Sequence, residues 1–140
     1  MFVDASAIVA ILTGEPEAAT LEATLEGATA PVTSSIAVYE ATLGLCRKKR
    51  ASVEAAQAQI HNFLREVGIR LVAIAPDASD GALDAFSRYG KGRGHPAQLN
   101  MGDCFAYAVA KAHGTSLLFK GEDFSQTDIV AAAPKPPPAP

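Results

Sequence analysis

The chain has no tryptophan, and aromatic residues make up only 6% of its 140 positions. A core must therefore come from aliphatic side chains and alanine, which suits one domain of this length. Cysteine is almost absent. Cys46 and Cys104 are too few and too far apart for a disulfide framework or a thiolate zinc site, and each is expected to pack inside a helix. None of the three histidines has ligand spacing to another. No apolar run approaches the length of a membrane span, so no membrane association is expected. A basic segment ahead of an apolar one is missing at the N-terminus, which predicts no secretory signal, a mature chain beginning at Met1, and a cytoplasmic location. A basic excess is lacking too. Twelve Lys and Arg against fifteen Asp and Glu give a net charge of −3, which argues against binding nucleic acid by overall charge. The balance fits a protein that gathers carboxylates in one place and basic groups in others.

What is present is alternation of strand and helix signals. Phe2-Val3 reads as a buried strand that runs into Asp4, and Ser6 is placed to cap a helix through Ile8, Ile11 and Leu12. Gly14 ends that helix, and Pro16 suits the first turn of a second one carrying Leu21 and Leu25. A short strand is expected at Pro31 to Ser34. Ser34 or Ser35 then caps a third helix with the apolar stripe Ile36, Tyr39, Leu43 and Cys46, and the basic run Arg47 to Arg50 matches the negative end of its dipole. Ser52 and Gly68 bound a fourth helix with Val53, Ala56, Ile60, Phe63, Leu64 and Val67 on its buried face. The pattern then predicts a strand over 69–74, a helix from Pro76 with Ala82, Phe86 and Tyr89 inward, and a glycine-rich loop over 90–100. A helix over 101–113, a fully buried strand over 116–119 and a last short strand over 127–132 follow. Pro134 to Pro140 cannot join a core, so the expected organisation is one domain over 1–133 and a disordered proline-rich tail over 134–140. Such alternation implies a parallel sheet covered by helices on both faces.

Four acidic positions stand where chemistry is plausible. Asp4 ends the first strand, and ligands of open α/β sheets bind beyond the carboxyl ends of the strands. A helix cap is the plainer role for it. Glu40 lies in the third helix between small neighbours, Ala37 and Gly44, where a pocket-facing and a solvent-facing side chain are equally compatible with position. Asp103 opens the sixth helix after Gly102, where the dipole favours a carboxylate and a cap is again the plainer role. Glu122 or Asp123 follows the last long strand, in a turn. Asp4 and the fourth acid share one sheet edge. Asp103 is expected at the opposite edge by strict alternation, unless the loop over 90–100 displaces its helix.

These segments, Phe2-Val3-Asp4-Ala5-Ser6-Ala7-Ile8, Tyr39-Glu40, Gly102-Asp103-Cys104-Phe105-Ala106-Tyr107-Ala108 and Leu117-Leu118-Phe119-Lys120-Gly121-Glu122-Asp123-Phe124, together resemble the PIN-domain family. Within it the chain looks like the VapC-type toxins of VapBC toxin–antitoxin pairs, over nearly its whole length. The resemblance implies a three-layer α/β/α fold with a central parallel sheet of four to five strands. It implies Mg²⁺- or Mn²⁺-dependent cleavage of RNA, a VapB-type antitoxin partner and a homodimer. It implies metal ligation by Asp4, Glu40 and Asp103. The fourth acid departs from the commonest pattern, in which an aspartate stands two places before an Asp-Phe pair. Gly121 occupies that place, and of Glu122 and Asp123 the latter is preferred.

The donor types agree with that chemistry. Mg²⁺ takes oxygen ligands and keeps several waters, so clustered carboxylates hold it without His or Cys. Ser6 is either a hydrogen-bond partner of such a carboxylate or only a cap. Arg88, Lys91, Arg93 and His95 are candidates for phosphate contacts, whereas Arg47 to Arg50 read as a solvated helix end. Tyr39 and Tyr107 are expected in the core. Three rival readings are a receiver-type signalling domain with Lys120 as its lysine, a haloacid-dehalogenase-type phosphatase, and a catalytically silent PIN-like module. The first lacks adjacent acids after the first strand, and the second has Ser6 where an aspartate is required.

Overall fold

The computed structural model describes residues 1–133. The expected tail over 134–140 lies outside the described residues. Four short strands form a wholly parallel sheet: β1 (Phe2–Val3), β2 (Val32–Thr33), β3 (Arg70–Leu71) and β4 (Leu117–Leu118), in the order β3-β2-β1-β4. Six helices surround it: α1 (Ala5–Leu12), α2 (Ala18–Glu26), α3 (Ser35–Lys49), α4 (Val53–Val67), α5 (Ala78–Tyr89) and α6 (Met101–Ala112). Because side chains alternate along a strand, β1 and β4 each feed both faces. Phe2, Val32 and Leu117 point into a core built with α5 and α6. Val3 and Leu118 point into the other, built with α1, α2, α3 and α4. The three-layer α/β/α architecture follows. Among the described residues no helix is long and apolar enough to cross a membrane.

Local signals mostly set the helix ends. The Ser34 hydroxyl accepts from Ala37 N and that of Ser52 from Ala55 N, and Gly68 closes α4 at φ +79°. Several expectations need correction, among them Val53 and Phe86, expected inward but 52% and 39% exposed. Asp4 rather than Ser6 caps α1, its side chain accepting from Ser6 N. The strand expected over 69–74 shrinks to Arg70–Leu71, an edge strand paired only with β2, and both of its residues are exposed. In place of a last strand, a 3₁₀ turn at Phe124–Gln126 leads to one parallel bridge between Leu117 and Ala131. Of the expected apolar stripe of α3, Cys46 packs against the core, but Ile36 and Leu43 are only half-buried. Ala37, Ala41, Gly44 and Leu45 are the buried residues of that helix, and Tyr39 is 67% exposed. A Cβ on Gly44 would stand 3.0 Å from a Val9 methyl, so α1 and α3 approach closely and only small residues fit between them.

Tyr107 is buried as expected, and its hydroxyl donates to Asp128. Lys111 Nζ, at 3.1 Å, and Arg88, at 3.5 Å, also reach Asp128, which ties the C-terminal segment to α5 and α6. The Tyr107 hydrogen bond, with Lys111 and Arg88, holds the Asp128 carboxyl down at about 2. A depressed folded value stabilises above the unfolded one and is lost as pH falls through it. Asp128→Asn should thus cost about 1 kcal/mol at neutral pH, the half-exposed site discounting a charged hydrogen bond. In urea titrations the difference from the parent should shrink between about pH 4 and pH 2. An equal difference at both ends of that range would refute the network.

Candidate active site

Beyond the carboxyl ends of the strands lies a cavity of about 330 Å³ lined by Asp4, Ser6, Glu15, Glu40, Asn100 and Asp103, with Arg47, Lys48 and Lys120 at its walls. Asp4 reaches it because β1 ends there; its N–H donates to Leu118 O at 2.9 Å, holding the strand tip in the sheet. Its side chain is 3% exposed, and Oδ2 accepts from Ser6 N at 3.0 Å and Ser6 Oγ at 2.6 Å. Lys120 N in turn donates to Ser6 Oγ at 3.0 Å. Ser6 is therefore a bridge that fixes Asp4 against the end of β4 as well as part of the helix start.

Asp103 enters from the first turn of α6. A helix antiparallel to the strands begins at their carboxyl edge, so alternation itself delivers Asp103 to Asp4. The expectation that placed it at the opposite edge had the direction reversed. Asn100 and Asp103 form a reciprocal capping box, with Asp103 N to Asn100 Oδ1 at 2.9 Å and Asn100 N to Asp103 Oδ2 at 3.1 Å. Cap and pocket carboxylate are here one group. Glu40 arrives from the second turn of α3, and its carboxylate lies against Gly102. A Cβ at Gly102 would overlap the Glu40 carboxylate oxygens, so glycine opens the space that Glu40 fills.

The acids press on one another. Burial pushes the Asp4 carboxyl up, with Ser6 opposing. Burial, then Asp4 and Asp103, push Glu40 up to about 7. Burial raises Asp103 to about 6, opposed by the Asn100 backbone and helped by the charges of Asp4 and Asp123. Among the described residues, no lysine or arginine forms an ion pair with any of the three. Asp123 thus bears on the site electrostatically, although it is exposed and outside the cavity lining. Glu122 instead turns to Ser125, whose hydroxyl donates to it at 3.3 Å. Among the described residues, no three His, Cys, Asp or Glu side chains already converge on a point fit to hold a metal ion. The oxygen-only donor set, crowded and without a basic partner, nonetheless fits a hard divalent cation.

The basic candidates separate. Arg88 is occupied by Asp84, Asp128 and the hydroxyls of Tyr89 and Tyr107, so it anchors the fold rather than the site. Arg93 lies over the Phe86 ring, and His95 accepts from Ala97 N. Lys48, expected in solvent with its neighbours, pairs with Glu15 at the cavity wall. Glu15 and Lys120 were not legible as site residues, because their contacts join segments distant in the chain. A larger groove of about 560 Å³ beside α5 and α6 is lined by Asp77, Asp80, Asp84 and Asp128, but Asp84 and Asp128 are paired with Arg88, and Asp128 also with Lys111 and the Tyr107 hydroxyl.

Comparison with known proteins identifies the family of the chain. Residues 1–130 match the PIN domain model. The chain is 46% identical over 132 residues to Ribonuclease VapC of Mycolicibacterium smegmatis, covering 94% of this chain and 98% of that protein. It is 41% identical over 139 residues to a VapC ribonuclease of Rhizobium meliloti, covering 91% and 98%. In three dimensions it resembles the sarcin-ricin loop cleaving toxin VapC20 of Mycobacterium tuberculosis, with a TM-score of 0.74 and 18% identity over 95% of this chain and 98% of that one. The last likeness establishes the fold. Matches of this extent set aside the receiver and phosphatase readings, and the chain belongs to the PIN-domain family, among the VapC ribonucleases.

Proposed function

We propose that this protein is a Mg²⁺- or Mn²⁺-dependent endoribonuclease, the toxin of a pair with a VapB-type antitoxin, acting in the cytoplasm. The observation that carries the reading is the meeting of Asp4, Glu40 and Asp103 in one cavity, none of them ion-paired to a basic group among the described residues. These three would hold the ion, and Asp123 would add charge from outside the first ring of ligands. When bound, the ion supplies an activated water and offsets charge on the phosphoryl oxygens. The chain's own part is placement. Ser6 fixes Asp4, Asn100 fixes Asp103, and Gly102 leaves room for Glu40, whose torsions allow the set to close.

Partner chains have surface to cover. Tyr39, Leu83 and Met101 are each at least 65% exposed. The antitoxin and a second copy of the chain are the proposed occupants.

The test uses purified protein, a structured RNA and millimolar Mn²⁺. Cleavage should appear with the ion and vanish with chelator. The melting temperature should rise by several degrees with Mn²⁺, because only the folded chain assembles the acids. Expression alone should arrest growth, and a partner encoded beside it should relieve the arrest. A folded protein with neither cleavage nor a Mn²⁺-dependent melting shift would defeat the reading.

A further inference from the structure

Glu15 is the cavity carboxylate that the ribonuclease reading leaves without a task. It sits in the turn between α1 and α2, and its side chain is only 11% exposed. Its two oxygens face two lysines. Oε1 pairs with Lys48 in the last turn of α3, and Oε2 lies 2.6 Å from Lys120 Nζ, just past β4. Oε2 is buried and has no well-directed hydrogen bond, so the Lys120 contact is held by charge rather than alignment.

Two ammonium groups brought together repel, and a carboxylate between them removes that cost. Each ammonium has three donors and gives one direction to Glu15, so others remain free. The lysine side chains are 48% and 36% exposed, which leaves those donors open to the cavity mouth. The trio carries a net charge of +1 on one wall, while Asp4, Glu40 and Asp103 make the rest of the cavity repel a polyanion. Something must hold a phosphodiester against that repulsion. We propose that Glu15 is a positioning residue that sets Lys48 and Lys120 as a clamp for a backbone phosphate of the RNA strand. The proposal rests on the ribonuclease reading for the nature of the ligand.

A merely structural ion-pair staple would leave RNA affinity alone. A simple charge effect would make Glu15→Gln bind RNA more tightly, since it removes a negative charge. The clamp predicts the opposite sign. Binding of a fluorescein-labelled single-stranded RNA is measured by polarisation in EDTA, so it needs no cleavage. Lys48→Gln and Lys120→Gln should each weaken binding roughly three- to tenfold and lower the salt slope by roughly 0.7. Glu15→Gln should weaken it by a similar factor, and should cost nothing further when both lysines are already Gln. With Mn²⁺, the same variants should raise KM and leave kcat within about twofold of the parent. Should Glu15→Gln fail to fold, the half-exposed lysine variants decide alone. Lysine variants that bind as the parent does, or a folded Glu15→Gln variant that binds as tightly or more tightly, overturn the clamp. A parent that binds RNA in EDTA yet never cleaves it sinks the ribonuclease reading and not the clamp.

Discussion

Asp103→Asn should lower RNA cleavage more than about 100-fold while leaving the apo protein as stable as the parent or more so. The substitution keeps the side-chain oxygen that accepts from Asn100 N, so the capping box survives. It removes one of the three charges proposed to hold the ion, and the loss should exceed the roughly 10–100-fold typical of an outer-shell partner. The stability sign follows from the carboxyl itself. Burial, with Asp4 and Asp123, raises its folded value to about 6 from an ordinary 3.8. A raised acid costs stability increasingly as pH climbs between those values, and fully above them. Asp103→Asn should therefore gain on the parent from about pH 4 to pH 6 and then level off. A residue that only caps predicts the reverse on both counts: near-normal cleavage, and equal or lower stability. Full activity of purified Asp103→Asn in excess Mn²⁺ would remove Asp103 from the site.

How far the site could be read from the chain depended on the kind of residue. Asp4 was legible because a strand, an acid and a helix start follow one another within six residues. Asp103 was legible from Gly102 and the helix start, but its edge of the sheet was misjudged. The long loop over 90–100 is not what brings it to Asp4; the antiparallel run of α6 does so unaided. The buried face of α3 was misread for a different reason. Apolar bulk marks the face of a helix that fills a gap, whereas close helix approach selects small residues. Ala37, Ala41 and Gly44 carry little hydropathy signal beside Ile36, Tyr39 and Leu43, yet they meet α1 and the sheet. Glu15, Lys48 and Lys120 left no local trace, because their pairing joins a turn, a helix end and a strand end that only the finished fold brings together.

Gly102→Ala should separate folding from catalysis as sharply as any charge removal. The added Cβ overlaps the Glu40 carboxylate, the far end of a flexible side chain rather than backbone, so Glu40 swings aside and the helices stay in place. Alanine also favours the first turn of α6, by up to about 1 kcal/mol over glycine. Stability should hold or rise while cleavage falls about 100-fold or more, because Glu40 no longer meets Asp4 and Asp103. A second readout tracks the displaced group. In the parent, burial and the two neighbouring aspartates lift Glu40 from 4.5 to about 7, so apo stability declines as pH rises through that window. Moving Glu40 toward water returns its value toward the ordinary one, and the Gly102→Ala melting temperature should lose most of that decline. Glu40→Gln should abolish the same decline with the side chain still in place. The double variant Gly102→Ala/Glu40→Gln should then cleave no worse than Glu40→Gln alone, since both act on one carboxylate. Additive losses would mean that Gly102 shapes the site by another route, and parent-like cleavage by Gly102→Ala would show that the Glu40 carboxylate does not need the space beside α6.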